Sequence, residues 1–166
     1  NENAVTLCYL GDGAINIGPF HEGLSLSALW KLPVVYIVEN NLFAMGTPLY
    51  KTSPTEDLSI RALGYPMARA SVDAHDIFAV RSTIHTAIKR AREQKLPTLI
   101  EAKTYRYRGH SMADPAKYRT EADVQEWKSR DPILVLGQKL EAFNMKERKE
   151  KIDQEVEQEM QDAVRY

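Results

Sequence analysis

Residues 4–18, AVTLCYLGDGAINIG, and residues 30–41, WKLPVVYIVENN, decide the fold of this chain. Ala4–Leu10 is a largely apolar run with branched residues, the pattern of a buried parallel strand. Gly11-Asp12-Gly13 follows as a turn. Pro19 suits the first turn of a helix, and Phe20, Leu24 and Ala28 repeat at helical spacing, so a helix is predicted to about Lys31. Pro33–Val38 is a second buried strand. Strand, helix and strand form a βαβ unit with Gly11-Asp12-Gly13 and Asn40-Asn41 at its ends.

Outward from this unit the alternation continues. Leu42 to Thr55 reads as a loop, punctuated by Gly46, Pro48 and Pro54. A short helix is predicted around Glu56–Leu63 and a strand near Met67–Val72. Ile77, Val80, Ile84, Ala87 and Ala91 mark an amphipathic helix capped by Asp76, and Thr98–Tyr105 is a further strand. Arg106 to Arg119 is a long polar loop. Thr120 with Asp123 resembles a capping box for a helix to about Arg130. Asp131-Pro132 restarts a helix, and the tail from Met145 carries the narrow apolar stripe of one surface helix. The prediction is an α/β fold with a largely parallel sheet, flanking helices and a C-terminal helical extension from about residue 120. Residues 1–166 are read as a single, partial domain. The chain begins at Asn1, enters a strand by Ala4 and reaches its key loop at residue 11, which is expected of a fragment of a longer protein.

Composition narrows the function. Of the 166 residues, 43% are hydrophobic, enough for one core, and the net charge of -1 suggests no nucleic-acid or membrane-surface partner. The longest apolar run, Val34–Val38, is far too short to span a bilayer, so no membrane partner is expected. Cys8, the single cysteine, has no internal disulfide partner and reads as a small core residue.

In open α/β sheets ligands sit beyond the carboxyl ends of the strands. GDG after a strand is by itself a common turn. Asn41, however, comes 29 positions after Asp12, a distance consumed by one helix and one strand, so both side chains reach the same sheet edge. A carboxylate, an amide oxygen and a nearby main-chain carbonyl form a hard oxygen site of the kind that suits Mg²⁺ with phosphate oxygens. The glycines permit close backbone approach to a ligand, and the following helix N-terminus can hold an anion. In the polar loop, His110 sits among Arg106, Arg108 and Arg119. His110 is placed there to face a phosphate, while the arginines read equally as a solvated surface or as a docking patch for an acidic partner.

GDGAINIG, followed by LWKLPVVYIVENN, resembles the thiamine-diphosphate signature that opens with GDG and closes with NN. YRYRGHSMADP at Tyr105–Pro115, YRT at Tyr118–Thr120, MGTP at Met45–Pro48 and SRDPI at Ser129–Ile133 resemble the α subunit of pyruvate-dehydrogenase-type 2-oxo acid dehydrogenase E1 components. The resemblance covers nearly the whole chain. It implies thiamine diphosphate and Mg²⁺ as cofactors, with Asp12, the Asn41 side chain and the main-chain carbonyl of Phe43 as metal ligands, so that the residue type at Phe43 matters little. Gly11, Asp12, Gly13, Ala14, Asn41 and His110 would bind the cofactor, with Gly13 and Ala14 against the diphosphate. His110 would act catalytically in passing the acyl group to lipoyl.

The implied activity is oxidative decarboxylation of pyruvate, a small 2-oxo acid. The implied partners are an E1 β subunit, in an α2β2 heterotetramer, and a lipoyl-bearing E2 component. Acetoin dehydrogenase and a non-catalytic interaction fragment are the alternative readings. Ser111 matches a regulatory phosphorylation position of the mitochondrial enzymes, but Pro48 and Ala116-Lys117 do not match the others. A bacterial-type, cytoplasmic enzyme without phosphoregulation is therefore expected, with the mitochondrial matrix as the alternative compartment.

Overall fold

The computed structural model describes residues 3–166. Four strands, β1 (Thr6–Gly11), β2 (Val34–Asn40), β5 (Ala68–Asp73) and β6 (Thr98–Lys103), form a parallel sheet in the order β1-β2-β6-β5. Helix α1 (Gly18–Leu29) connects β1 to β2, and α3 (Ile77–Gln94) connects β5 to β6. Successive side chains of a strand point to opposite faces. Val38 and Leu99 accordingly join a core with Ile15, Phe20, Leu24 and Leu58 on one face. Val35, Ile37 and Ile100 join Val72, Ala87 and Ala91 of the α3 side on the other. Each large aliphatic side chain so buried contributes about 1.5–3 kcal/mol.

The predicted helix starts are present as hydrogen bonds. Asp76 Oδ1 accepts from the N–H groups of Phe78 and Ala79 at 3.0 and 3.2 Å. Thr120 and Asp123 form the reciprocal box at the start of α4 (Glu121–Ser129): Asp123 Oδ2 accepts from Thr120 N, and Thr120 Oγ1 accepts from Asp123 N.

Two expectations need correction. The first strand forms, but it is not buried: Leu7 is 38% and Tyr9 59% exposed. β1 pairs with β2 on one side, and no strand among the described residues pairs with its other side. Cys8 is accordingly only half-buried. The segment after Asn41 is also more than a loop. It holds a small hairpin, β3 (Phe43–Ala44) and β4 (Thr47–Pro48), and then a one-turn helix, α2 (Leu49–Thr52). Leu42 and Met45 adopt left-handed backbone angles, φ 71° and 56°, which residues with a Cβ rarely take. Their residue types therefore carried no turn signal.

By its contacts the chain divides into two units, Asn1–Ser129 and Arg130–Tyr166. The second consists of α5 (Pro132–Ala142) and α6 (Lys146–Arg165). Asp131 Oδ1 caps α5 at the N–H groups of Ile133 and Leu134. Lys149 of α6 lies close against Gly137 of α5. The ion pairs Lys146–Glu150, Lys149–Asp153 and Lys151–Glu155 run along α6. Water screens these exposed pairs, so they add little to stability.

Candidate functional site

Gly11, the last residue of β1, stands opposite Glu39 in the parallel register with β2. The chain therefore leaves both strands at one carboxyl edge, and Asp12, Asn40 and Asn41 gather there. Asp12 is 2% exposed. Its Oδ1 accepts from the Gly13 N–H at 3.1 Å, while its Oδ2 is buried with no hydrogen-bond partner. Burial pushes the Asp12 pKa up, opposed by the N–H groups of Gly13 and of Asp12 itself and by the Arg106 guanidinium. A buried carboxylate oxygen without a donor is costly, and a cation would satisfy it.

The glycines next to Asp12 differ in what they permit. A Cβ on Gly13 would lie 2.7 Å from Ala44 Cβ, whereas Gly11 has open space there. Close approach of the GDG turn to the β3–β4 hairpin is thus what demands glycine, and no described glycine has positive φ. Ala14 opens a short 3-10 turn, Ala14–Asn16. α1 begins only at Gly18, so the N–H groups directly after Asp12 belong to that turn and not to the α-helix.

Asn41 Oδ1 accepts from Phe43 N at 3.3 Å, an Asx turn that leaves the amide oxygen a second lone pair. The Phe43 ring packs edge-on to Tyr105 and tilted against Tyr118. Its residue type therefore does matter: the ring anchors the segment whose main-chain carbonyl is the expected ligand.

His110 is exposed at the tip of the polar loop, and the loop is built around it. Its N–H donates to Asp114 Oδ2 at 2.7 Å, the Ala116 N–H donates to Asp114 Oδ1 at 2.9 Å, and the Tyr118 hydroxyl donates to Asp114 Oδ2 at 2.7 Å. The Tyr118 hydroxyl first, and then these N–H groups, hold the Asp114 carboxyl at about 2. A Cβ on Gly109 would lie 2.7 Å from the Asp114 carbonyl oxygen, so the loop can close only with glycine there.

Arg106 ties the segments together. Its Nη2 donates to the Met45 carbonyl at 2.5 Å and to the Tyr118 hydroxyl at 2.9 Å, and its Nη1 lies 3.3 Å from His110 Nδ1. A guanidinium only donates, so this contact makes Nδ1 the acceptor and leaves the ring proton on Nε2. Arg119 binds the carbonyls of Arg106 and Tyr107 and lies over the rings of Tyr105 and Tyr118. Two of the three loop arginines are thus engaged in building the loop, and only Arg108 is exposed.

No cluster of three or more His, Cys, Asp or Glu suited to a metal occurs among the described residues. The arrangement at Asp12 offers instead one carboxylate with a free buried oxygen, one amide oxygen and main-chain carbonyls. That donor set fits Mg²⁺ with phosphate oxygens. A cavity of about 740 Å³ flanks the hairpin, lined by Asn40, Leu42, Phe43, Leu49, Lys103 and Trp127 among others, but not by Asp12 or His110. The diphosphate expectation does not attach to it.

Residues 1–166 match the family model described as dehydrogenase E1 component. The chain belongs to the dehydrogenase E1 component family. It is 41% identical to the pyruvate dehydrogenase E1 component subunit alpha of Rhizobium meliloti (strain 1021), a match covering 100% of this chain and 48% of that protein. The subunit of the same name from Porphyra purpurea is 43% identical, over 81% of this chain and 39% of the relative. That from Zymomonas mobilis is 37% identical, over 100% and 48%. The chain spans about half the length of the Rhizobium and Zymomonas relatives. Among solved structures, a transketolase from Campylobacter jejuni superposes with a TM-score of 0.56 at 22% identity, over 78% of this chain and 21% of that one. That likeness is one of fold.

Proposed function

We propose that this chain is the metal-and-diphosphate half of the thiamine diphosphate site in the α subunit of a pyruvate dehydrogenase E1 component. The buried, partnerless Oδ2 of Asp12 carries the reading. It lies at the sheet edge where the Asn41–Ala44 segment packs onto Gly13. Asp12, the Asn41 side chain and the Phe43 carbonyl would hold Mg²⁺, with phosphate oxygens and water completing the shell. Gly11, Gly13 and Ala14 would present backbone to the diphosphate.

Thiamine diphosphate, when bound, supplies the nucleophile and electron sink for decarboxylating a 2-oxo acid. The chain's own part is to bind and orient. Asp12 brings negative charge to the cation in a site shielded from water, where it acts more strongly than at a surface. Arg106 holds the His110 loop to the hairpin and occupies Nδ1 of the ring. The Nε2–H of His110 is then the donor left for a phosphate oxygen or for the lipoyl group. Donors held in place in advance need little reorganisation during the reaction.

An E1 β subunit, in an α2β2 assembly, would complete the site, and a lipoyl-bearing E2 component would take the acyl group. The relatives named above all carry the pyruvate name, which supports pyruvate over acetoin. The bacterial relatives support a bacterial-type, cytoplasmic enzyme.

The test is titration calorimetry of thiamine diphosphate on the chain co-assembled with a β subunit, with and without Mg²⁺, for wild type and Asp12→Ala. Binding that requires the metal and disappears in Asp12→Ala is expected. Absence of binding in an assembled wild-type complex defeats the proposal.

A further inference from the structure

Glu101 is a fully buried carboxylate in the middle of β6, facing Val38 of β2 and Ser71 of β5 in register. Its Oε1 accepts from Asn40 Nδ2 at 2.7 Å, and its Oε2 accepts from Ser71 Oγ at 2.8 Å. Lys103 Nζ, on a half-exposed side chain, is 3.9 Å away. A buried charge of this kind is a poor source of stability, since apolar replacement of such groups is often neutral or favourable. Its contacts give it another use.

Asn40 is itself buried. With its amide nitrogen held by Glu101, its Oδ1 must point away, and it accepts from Leu42 N at 3.2 Å. Leu42 has a left-handed backbone, φ 71°, and its carbonyl accepts from Leu49 N at 2.9 Å. The Asn41 side chain and the Phe43 main chain lie on either side of it. The conformation of this stretch costs backbone strain, and the Glu101–Asn40 pair supplies a hydrogen bond that opposes it.

We propose that Glu101 is a positioning residue that, through Asn40, holds the Asn41–Phe43 segment in the shape that presents its oxygens to the metal. The proposal rests on the metal-site reading given above. Two substitutions separate the hydrogen bond from the charge. A glutamine in place of Glu101 can accept from Asn40 with its amide oxygen and donate to the Ser71 hydroxyl with its amide nitrogen. A leucine can do neither.

The test uses this chain, alone for backbone amide exchange by NMR and co-assembled with a β subunit for Mg²⁺-dependent calorimetry of thiamine diphosphate. In Glu101→Leu the Leu42 and Phe43 amides should exchange faster, and the Mg²⁺ requirement should rise about 10- to 100-fold, as for other residues that orient metal ligands. Glu101→Gln should recover most of both. Ser71→Ala, which removes the other hydrogen bond to the same carboxylate, should change neither. Should Glu101→Leu fail to fold, Asn40→Ala interrupts the same relay and carries the same expectation.

Wild-type exchange and wild-type Mg²⁺ dependence in the folded leucine variant overturn the proposal, as does an equal effect of Ser71→Ala. Loss of metal dependence already in the wild-type assembly defeats the metal-site reading, and this proposal's metal role with it. A metal-dependent wild-type assembly together with an unchanged Mg²⁺ requirement in Glu101→Leu defeats this proposal alone.

Discussion

His110 donates its backbone N–H to Asp114 Oδ2 at 2.7 Å, and the same oxygen accepts from the Tyr118 hydroxyl at 2.7 Å. The shape of the His110 loop thus depends on one ionised carboxylate. The Asp114 pKa is lowered from 3.8 to about 2. A depressed folded value means that the contribution is present above the ordinary carboxylate pKa and is lost as the pH falls through about 2. The His110 amide resonance should accordingly titrate with a midpoint near 2, and Asp114→Asn should flatten that titration. A midpoint at the ordinary carboxylate value in wild type would refute the arrangement.

Asp12 has the opposite sign. Its folded pKa is raised by burial, so its contribution is complete below the ordinary value of 3.8 and is lost as the pH rises through the folded one. Above that value the ionised group weakens the metal-free fold. Asp12→Asn, which removes the buried charge, should therefore raise the melting temperature of the metal-free chain while removing Mg²⁺-dependent binding of thiamine diphosphate. A variant that is both less stable and still metal-dependent would contradict this account of Asp12.

Gly13 and Ala44 are matched in size. A Cβ added at Gly13 would meet Ala44 Cβ at 2.7 Å, and such overpacking costs about 1–3 kcal/mol. Gly13→Ala should lower stability in chemical denaturation, and Gly13→Ala with Ala44→Gly should regain much of it. The two changes are neighbours and should couple. Additive losses would mean that this contact does not limit residue size at Gly13.

Arg106 makes three contacts with one planar fork, to the Met45 carbonyl, the Tyr118 hydroxyl and His110. A lysine has the charge but not the fork. Arg106→Lys should leave the melting temperature within a few degrees of wild type and make the 106–119 loop markedly easier to cut by limited proteolysis. Unchanged cleavage would show that the loop is held by Asp114 and Arg119 without it.

Much of this molecule is read directly from local pattern. The apolar runs, the Pro19 helix start, the Asp76 cap and the Thr120–Asp123 box are interactions among near neighbours, so the sequence suffices to place them. The same holds for the convergence of Asp12 and Asn41, because a strand, a helix and a parallel strand can return the chain only to the same sheet edge. The exposure of β1 was not legible, since the apolar pattern of a strand does not say how many neighbours it has.

The residues that build the site stayed hidden for a related reason. Arg106 and Arg119 look like a charged surface until their acceptors are known, and those acceptors include the Met45 carbonyl, 61 positions from Arg106, and the Tyr107 carbonyl, 12 positions from Arg119. Glu101, in an apolar strand, and Asn40, 61 positions away, show nothing of their pairing.

By itself the sequence determined the order of the main elements and the α/β class, both set by periodicity and capping within a few residues. Only the tertiary structure decided which oxygen of Asp12 is left without a donor, why Gly13 must be glycine and what holds Leu42 in its left-handed turn. Those facts depend on burial and on contacts between segments far apart in the chain, and they exist only once the sheet has brought the segments together.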